Sequence, residues 1–247
     1  MDVRSICAMR LILRVQTVRV RCYGDWGGTL DACLTLALSI RSGDPRIPGT
    51  LHYQAADSLN DYEEAITAIG DALSSFNSTK EYPVWGFGAK FGGVVRHIFQ
   101  CGPTSTVQGI DGVLEAYRTV FQSDLLMSGP THFGQVIQAA ALRARKYHES
   151  MSMCHRYCVL LIITDGMVDD VEETKRKLWV YKDMPLSVII VGVGRAEFKG
   201  MKALCNHGTP ATFVEFRQHQ HDPLSMAKAA LGELPQQIVD YMTANDI

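Results

Sequence analysis

The stretch CVLLIIT, residues 158–164, is a continuous run of aliphatic and β-branched residues, and LSVIIVG at residues 186–192 has the same character. Neither run alternates between apolar and polar positions, which is typical of central parallel strands that helices cover on both faces. Residues 168–181 between them predict a helix, long enough for a right-handed crossover connection. The chain is therefore predicted to have an α/β fold, a doubly wound, mostly parallel sheet with helices on both faces.

Further helices and strands are predicted on either side of these two runs. Apolar residues recur at helical spacing over residues 60–76, 110–121, 133–147 and 224–242. Pro235 is expected to bend the last of these helices. Strands are predicted over residues 11–22, 82–89 and 94–100, and at the start of LTLALSIRSGD, residues 34–44. The five arginines of the first 22 residues indicate the solvent side of a strand, and a membrane-binding or targeting arm is the alternative.

The composition excludes several classes of protein. With 24 Lys and Arg against 26 Asp and Glu, the formal net charge of −2 gives no basic excess for binding nucleic acid. Seven cysteines are an odd number, unlike the disulfide framework of a small secreted domain, so a reducing, cytoplasmic location is predicted. No apolar run approaches the roughly 20 residues that span a bilayer. A soluble chain is expected.

One set of residues comes near to the spacing of a zinc site. It consists of His148, Cys154, His155 and Cys158. The set adjoins a buried strand and lacks the paired repeats of zinc ribbons. Buried thiols and exposed histidines are therefore the preferred interpretation.

Polar side chains follow the predicted strands where ligands bind in doubly wound sheets, at the carboxyl ends. Ser39, Ser42 and Asp44 follow one strand, Thr131 precedes a helix, and Asp165 follows the strongest strand. Hydroxyl and carboxylate oxygens without nearby His or Cys suit a hard cation such as Mg²⁺ or Mn²⁺. The alternatives are ordinary: an Asp-Gly turn at Asp165 and a helix N-cap at Thr131.

Motifs of catalysis are not found in the sequence. It has no nucleophile elbow, no phosphate loop and no ordered Gly-x-Gly-x-x-Gly with a ribose-binding acid. The histidines at 132, 207, 219 and 221 have no evident partner by spacing. A non-enzymatic protein is predicted.

Several segments, taken in order, resemble the A domain of copines, a branch of the von Willebrand factor A family. They are SGDP (42–45), LHY (51–53), YPVWGFGAKF (82–91), GIDGVLEAYR (109–118), SGPTHFGQVI (128–137), VLLIITDGMVDD (159–170), PLSVIIVGVGRAEFKGM (185–201) and ELPQQIVDY (233–241). The resemblance implies a Rossmann-like sheet. It also implies a division into residues 24–247 as the A domain and residues 1–23 as a strand or linker, the remnant of a preceding C2 domain.

The resemblance also implies a metal-ion-dependent adhesion site, built from an Asp-x-Thr/Ser-x-Ser loop, a threonine and a later aspartate. Carried over by position, Ser39, Thr131 and Asp165 match, and they are the predicted metal residues. Ala37 and Arg41 stand where the family has the leading aspartate and the second hydroxyl. One carboxylate beside a guanidinium balances a divalent ion poorly, so the site is predicted to be degenerate.

We hypothesise that Arg41 reaches toward Asp165 and takes over the charge of the missing ion, because a guanidinium pairs with a carboxylate through a planar fork. The alternative keeps a metal, with Asp44 as the substitute ligand.

Three functions follow from this interpretation. The first is a domain that binds protein partners at the rim of strand ends. The second, by likeness to plant ligases that carry a similar domain, is the substrate-recruiting module of a RING-type ubiquitin ligase. The third is a fragment without an independent role. The family's calcium-dependent phospholipid binding belongs to C2 domains, so contact with the plasma membrane is expected only indirectly or through such domains.

Overall fold

The computed structural model describes residues 10–14, 17–21, 29–39, 42–74, 76–91, 93–127, 129–149, 154–205 and 208–245. The strands are β1 (Arg10–Arg14), β2 (Thr17–Arg21), β3 (Thr29–Ser39), β4 (Glu81–Tyr82), β5 (Val84–Phe87), β6 (Ala89–Phe91), β7 (Val94–Arg96), β8 (Phe99–Gln100), β9 (Val107–Gln108), β10 (Leu125–Met127), β11 (Cys154–Thr164), β12 (Leu186–Gly192) and β13 (Ala211–Glu215). The helices are α1 (Asp61–Ser74), α2 (Gly109–Thr119), α3 (Gly134–Glu149), α4 (Val171–Val180), α5 (Lys199–Leu204), α6 (Pro223–Leu231) and α7 (Leu234–Ala244).

A six-stranded sheet forms the centre of the fold, in the order β13-β12-β11-β3-β5-β8. All neighbouring strands are parallel except β8, which runs antiparallel to β5. The order turns back at β3, which lies between β11 on one side and β5 on the other. This is the topological switch of a doubly wound sheet, and the predicted fold class is confirmed.

Two hydrophobic cores lie on opposite faces of this sheet. Alternate residues of β11 divide between them: Val159 and Leu161 pack with α1, α2, α6 and α7, while Leu160 and Ile162 pack with α3, α4 and α5. Every residue of β12 is buried. Because both faces are covered, the two strands read as continuous apolar runs rather than as alternating ones.

The predicted strand over residues 82–89 is wrong in its extent. The chain forms three short strands there, β4, β5 and β6, and β6 leaves the central sheet for an antiparallel sheet of order β10-β6-β7. The predicted edge strand over residues 94–100 is likewise divided into β7 and β8, which belong to different sheets. Gly88 has a φ of +77°, and a Cβ on Gly86 would lie 2.3 Å from the Phe99 ring. The chain therefore turns at Gly88, and the absence of a side chain at Gly86 lets the Phe99 ring approach the strand closely.

Two further predictions are corrected. Residues 11–22 do not form one strand, because β1 and β2 pair antiparallel with each other. The C-terminal helix is not merely bent at Pro235 but is interrupted after Leu231, and α7 begins at Leu234. Pro235 lies in the first turn of α7, where its missing amide needs no partner.

Across the described segments, no helix is long and apolar enough to cross a bilayer.

Candidate functional site

The carboxyl ends of β3 and β11 lie side by side. Their parallel register pairs Ala37 with Ile162 and Leu38 with Ile163. Ser39 ends β3 one residue later, and Asp165 directly follows the last residue of β11. The structure thus brings the backbone of two predicted site residues to one edge of the sheet, while their metal role stays a prediction. The Ser39 side chain and all of Arg41 lie outside what the structure describes.

Thr131 is held at the same edge by the loop between β11 and α4. Its backbone amide donates to a carboxylate oxygen of Asp169 at 2.6 Å, and the Asp169 amide donates back to the Thr131 carbonyl at 2.9 Å. The Thr131 side chain is fully buried. Thr131 therefore lies against the loop that follows β11, and we call Ser39, Thr131 and Asp165 the strand-end rim.

Asp170 fixes the start of α3 beside this rim. Its carboxylate accepts the backbone amides of Phe133 and Gly134, each at 2.9 Å. The helix begins at Gly134, so the interpretation of Thr131 as its N-cap is wrong. A carboxylate at a helix N-terminus also interacts favourably with the helix dipole. One loop thus orients both Thr131 and the helix that follows it.

Asp165 takes part in a tight turn. Its Oδ1 accepts the Met167 amide at 3.3 Å, and Gly166 adopts a φ of +91°. That φ lies in the left-handed region that favours glycine, and a Cβ there would also lie 2.6 Å from the Phe198 ring. The Asp-Gly turn that sequence reasoning kept as an alternative is therefore present, and it directs the chain away from the sheet at the rim.

Sequence reasoning missed the parts of the site that depend on distant partners. Asp169 and Asp170 contact residues 36 to 38 positions earlier in the chain. His132, for which no partner was evident, stacks on His97 with ring centroids 4.3 Å apart and an angle of 8° between the rings. Burial lowers the pKa of His97, and the charge of His132 lowers it further. The sequence offers one signal for Asp169 and Asp170, because acidic residues just before a helix are typical of its start.

The residues in place do not fit the metal site that the resemblance implies. Ala37 carries no donor atom, and the described residues include no group of three or more His, Cys, Asp or Glu side chains that could hold an ion. Asp44 is not a ready substitute, since Arg46 engages both of its oxygens: Nε donates to Oδ1 at 3.0 Å and a terminal nitrogen to Oδ2 at 2.6 Å.

For the zinc alternative, the side chains of His148, Cys154 and His155 lie outside the described part, and Cys158 is buried.

Comparison with known proteins gives consistent matches to one family. A family model described as Copine matches residues 50–247. Protein BONZAI 1 of Arabidopsis thaliana is 37% identical over 235 residues, which cover 87% of this chain and 40% of the relative. Copine-E of Dictyostelium discoideum is 33% identical over 239 residues, covering 91% and 41%. The chain therefore spans about 40% of the length of these relatives.

Solved structures show weaker likenesses. The VWA domain of SpRpn10 aligns with a TM-score of 0.48 and 14% identity, over 76% of this chain and 88% of that one. A manganese-loaded Plasmodium vivax TRAP protein aligns with a TM-score of 0.46 and 13% identity, over 81% and 73%. The sequence relationship is the stronger finding, because the family model covers most of the chain, including Thr131 and Asp165. The chain belongs to the copine family.

Proposed function

We propose that this chain is a non-enzymatic, copine-type A domain that binds protein partners through the strand-end rim. The observation that carries the proposal is the reciprocal pair of hydrogen bonds between Thr131 and Asp169, at 2.6 and 2.9 Å, which holds Thr131 against the loop after the carboxyl end of β11. That edge is where doubly wound folds bind their ligands. A preformed rim lowers the entropy cost of association.

The proposal includes a metal dependence that is reduced or lost. The rim offers one carboxylate and two hydroxyl positions, whereas divalent ions in proteins take several oxygen ligands with enough negative charge to balance them. We still propose that Arg41 pairs with Asp165 and supplies the positive charge that a bound metal ion would otherwise provide. Titration of the protein with Mg²⁺ or Mn²⁺ by calorimetry tests it, and we expect no binding tighter than roughly millimolar. Micromolar binding that Asp165→Ala abolishes would refute the loss of the metal.

Partner capture from cytosol tests the rim itself. Asp165→Ala and Arg41→Ser should each reduce the recovery of bound proteins. Asp240→Ala is the matched control, because that exposed carboxylate lies on α7 beside the start of β12, at the opposite edge of the sheet. If both rim variants retain every partner, the rim is not the binding surface.

The wider properties of the family are also proposals for this chain. A cytoplasmic location is proposed from the odd number of cysteines, and recruitment to the plasma membrane would follow from C2 domains. The chain covers only about 40% of the relatives. The ubiquitin ligase alternative predicts a RING protein among the captured partners. Capture of such a protein by the native chain, but not by the Asp165→Ala variant, would favour it.

A further inference from the structure

A cleft of about 890 Å³ lies between the loop after β3 and the small antiparallel sheet. Its walls are the loop after β3 at Asp44–Arg46, the end of α2 at Arg118, and β10 at Leu125–Met127. Neither Thr131 nor Asp165 of the strand-end rim lines it. The cleft is large enough for several residues of a peptide, since ligand pockets commonly measure about 300–1,000 Å³.

The cleft runs along the edge of β10. Successive side chains of a strand point to opposite faces, yet all three residues of β10 line the cleft. Among the strands that the structure describes, β10 pairs only with β6 and ends its sheet. Leu126 is 63% exposed. An edge of this kind can accept an extended segment as an added strand. The Leu125 amide already donates to the Ser123 carbonyl at 2.7 Å, so an added strand would pair beyond that group.

Arg118 is held in the wall of the cleft by a buried carboxylate. Its Nε donates to Glu63 at 2.6 Å, where the Glu63 side chain is 2% exposed and the Arg118 side chain is 45% exposed. Glu63 is fixed in turn by Asn60: the Asn60 amide donates to its other oxygen at 2.9 Å, and the Glu63 amide donates to Asn60 Oδ1 at 3.0 Å. This reciprocal pair is a capping box at the start of α1. The guanidinium is thus fixed before any ligand arrives.

The terminal nitrogens of Arg118 remain for a ligand. In the described part of the chain, only Glu63 pairs with this guanidinium, and it does so through Nε. The other arginine of the cleft, Arg46, is committed to Asp44. A guanidinium presents further N–H groups in a planar fork that matches a carboxylate. Arg118 therefore adds a site for an anion beside a strand edge and an exposed leucine.

We propose that the cleft binds an extended, acidic segment of a protein partner. The segment adds alongside β10, contacts Leu126 with an apolar residue, and places a carboxylate on the terminal nitrogens of Arg118. This surface is separate from the strand-end rim and requires no metal, so its test is independent of the test of the rim.

A pair of synthetic peptides tests the proposal. The probe is acetyl-Ser-Val-Glu-Val-Thr-amide, and its matched control carries Gln in place of Glu. In ¹H–¹⁵N spectra of the full chain, we expect the shifts caused by the Glu peptide to include Leu126, Met127 and the Arg118 side chain. We expect the Glu peptide to bind at least about 5-fold more tightly than the Gln peptide, since hydrogen bonds between charged groups are the stronger ones. Shifts confined to other surfaces, or equal affinities, would overturn the proposal.

Two variants separate binding from folding. Leu126→Asp changes an exposed side chain and should weaken binding of the Glu peptide at least about 5-fold without unfolding the protein, because like charges repel. Arg118→Gln should abolish the preference for Glu over Gln. Its matched control is Arg217→Gln, which breaks a similar pair with the nearly buried Glu215 outside the cleft and should leave binding unchanged. A Leu126→Asp protein that binds the Glu peptide as the native chain does would also overturn the proposal.

Discussion

Replacement of Asp170 by alanine should destabilise the protein more than removal of the exposed helix cap at Asp222 does. The substitution removes the acceptor of two backbone amides, those of Phe133 and Gly134, both at 2.9 Å. Phe133 is fully buried, so its amide has little access to water once the carboxylate is gone. Hydrogen bonds to charged groups contribute about 1.5–3 kcal/mol each. Since Asp170 is half-exposed, we expect a loss of about 2–4 kcal/mol in the free energy of unfolding.

Urea denaturation followed by circular dichroism measures this loss, provided that the slope against denaturant is unchanged. The matched control is Asp222→Ala, because Asp222 caps α6 with a single bond from the Ser225 amide at 2.9 Å and is exposed. A loss of about 1 kcal/mol is expected there. Hydrogen exchange of the Gly134 amide should also accelerate in Asp170→Ala. If Asp170→Ala loses no more stability than Asp222→Ala, the loop after β11 does not hold the rim.

Three further predictions concern other parts of the chain. Gly192→Ala would place a Cβ 2.6 Å from the Phe198 ring, so urea denaturation should show a loss of about 1–3 kcal/mol that Phe198→Leu partly restores. Burial raises the pKa of Cys101 to about 12, so mass spectrometry should find its thiol unmodified by iodoacetamide at about pH 8 until the protein is unfolded. Hydrogen bonds from Arg46 lower the pKa of Asp44 from 3.8 to about 2, so the stability that this pair contributes is present above the unfolded value and is lost as the pH falls toward 2. Arg46→Gln should return the Asp44 pKa, followed by carboxyl NMR, toward 3.8.

The central sheet could be predicted from the sequence because its physical cause is local. A strand covered on both faces is apolar at nearly every position, and β12 contains a single polar side chain, that of Ser187. Helices α1, α2 and α3 could be predicted because each buries one face, which leaves a period in the sequence. Their predicted ends fall within two residues of the observed ones, as expected from fraying and capping.

The divided strands after α1 could not be predicted in the same way. A glycine inside a strand, such as Gly86, often marks a bend or a close approach, but the sequence does not say that Phe99 is the neighbour. The candidate site has the same limit. Ser39 and Asp165 could be placed at one edge because the ends of parallel strands meet there, whereas the partners of Thr131 and Phe133 lie 38 and 37 residues away. A contact at that separation leaves no periodic pattern.

The geometry of the rim and its affinity for a metal depend on different atoms. Ala37 is paired with Ile162 through the backbone, and Thr131 is held through its own amide and carbonyl. Neither interaction needs the side chain that a metal would use, so a donor can be lost at position 37 without loss of the fold. Asp165→Ala should therefore change what the rim binds while leaving stability nearly unchanged, whereas Asp170→Ala should lower both. Because the backbone keeps the rim in shape, the proposed binding of a protein partner does not require the donor side chain that Ala37 lacks.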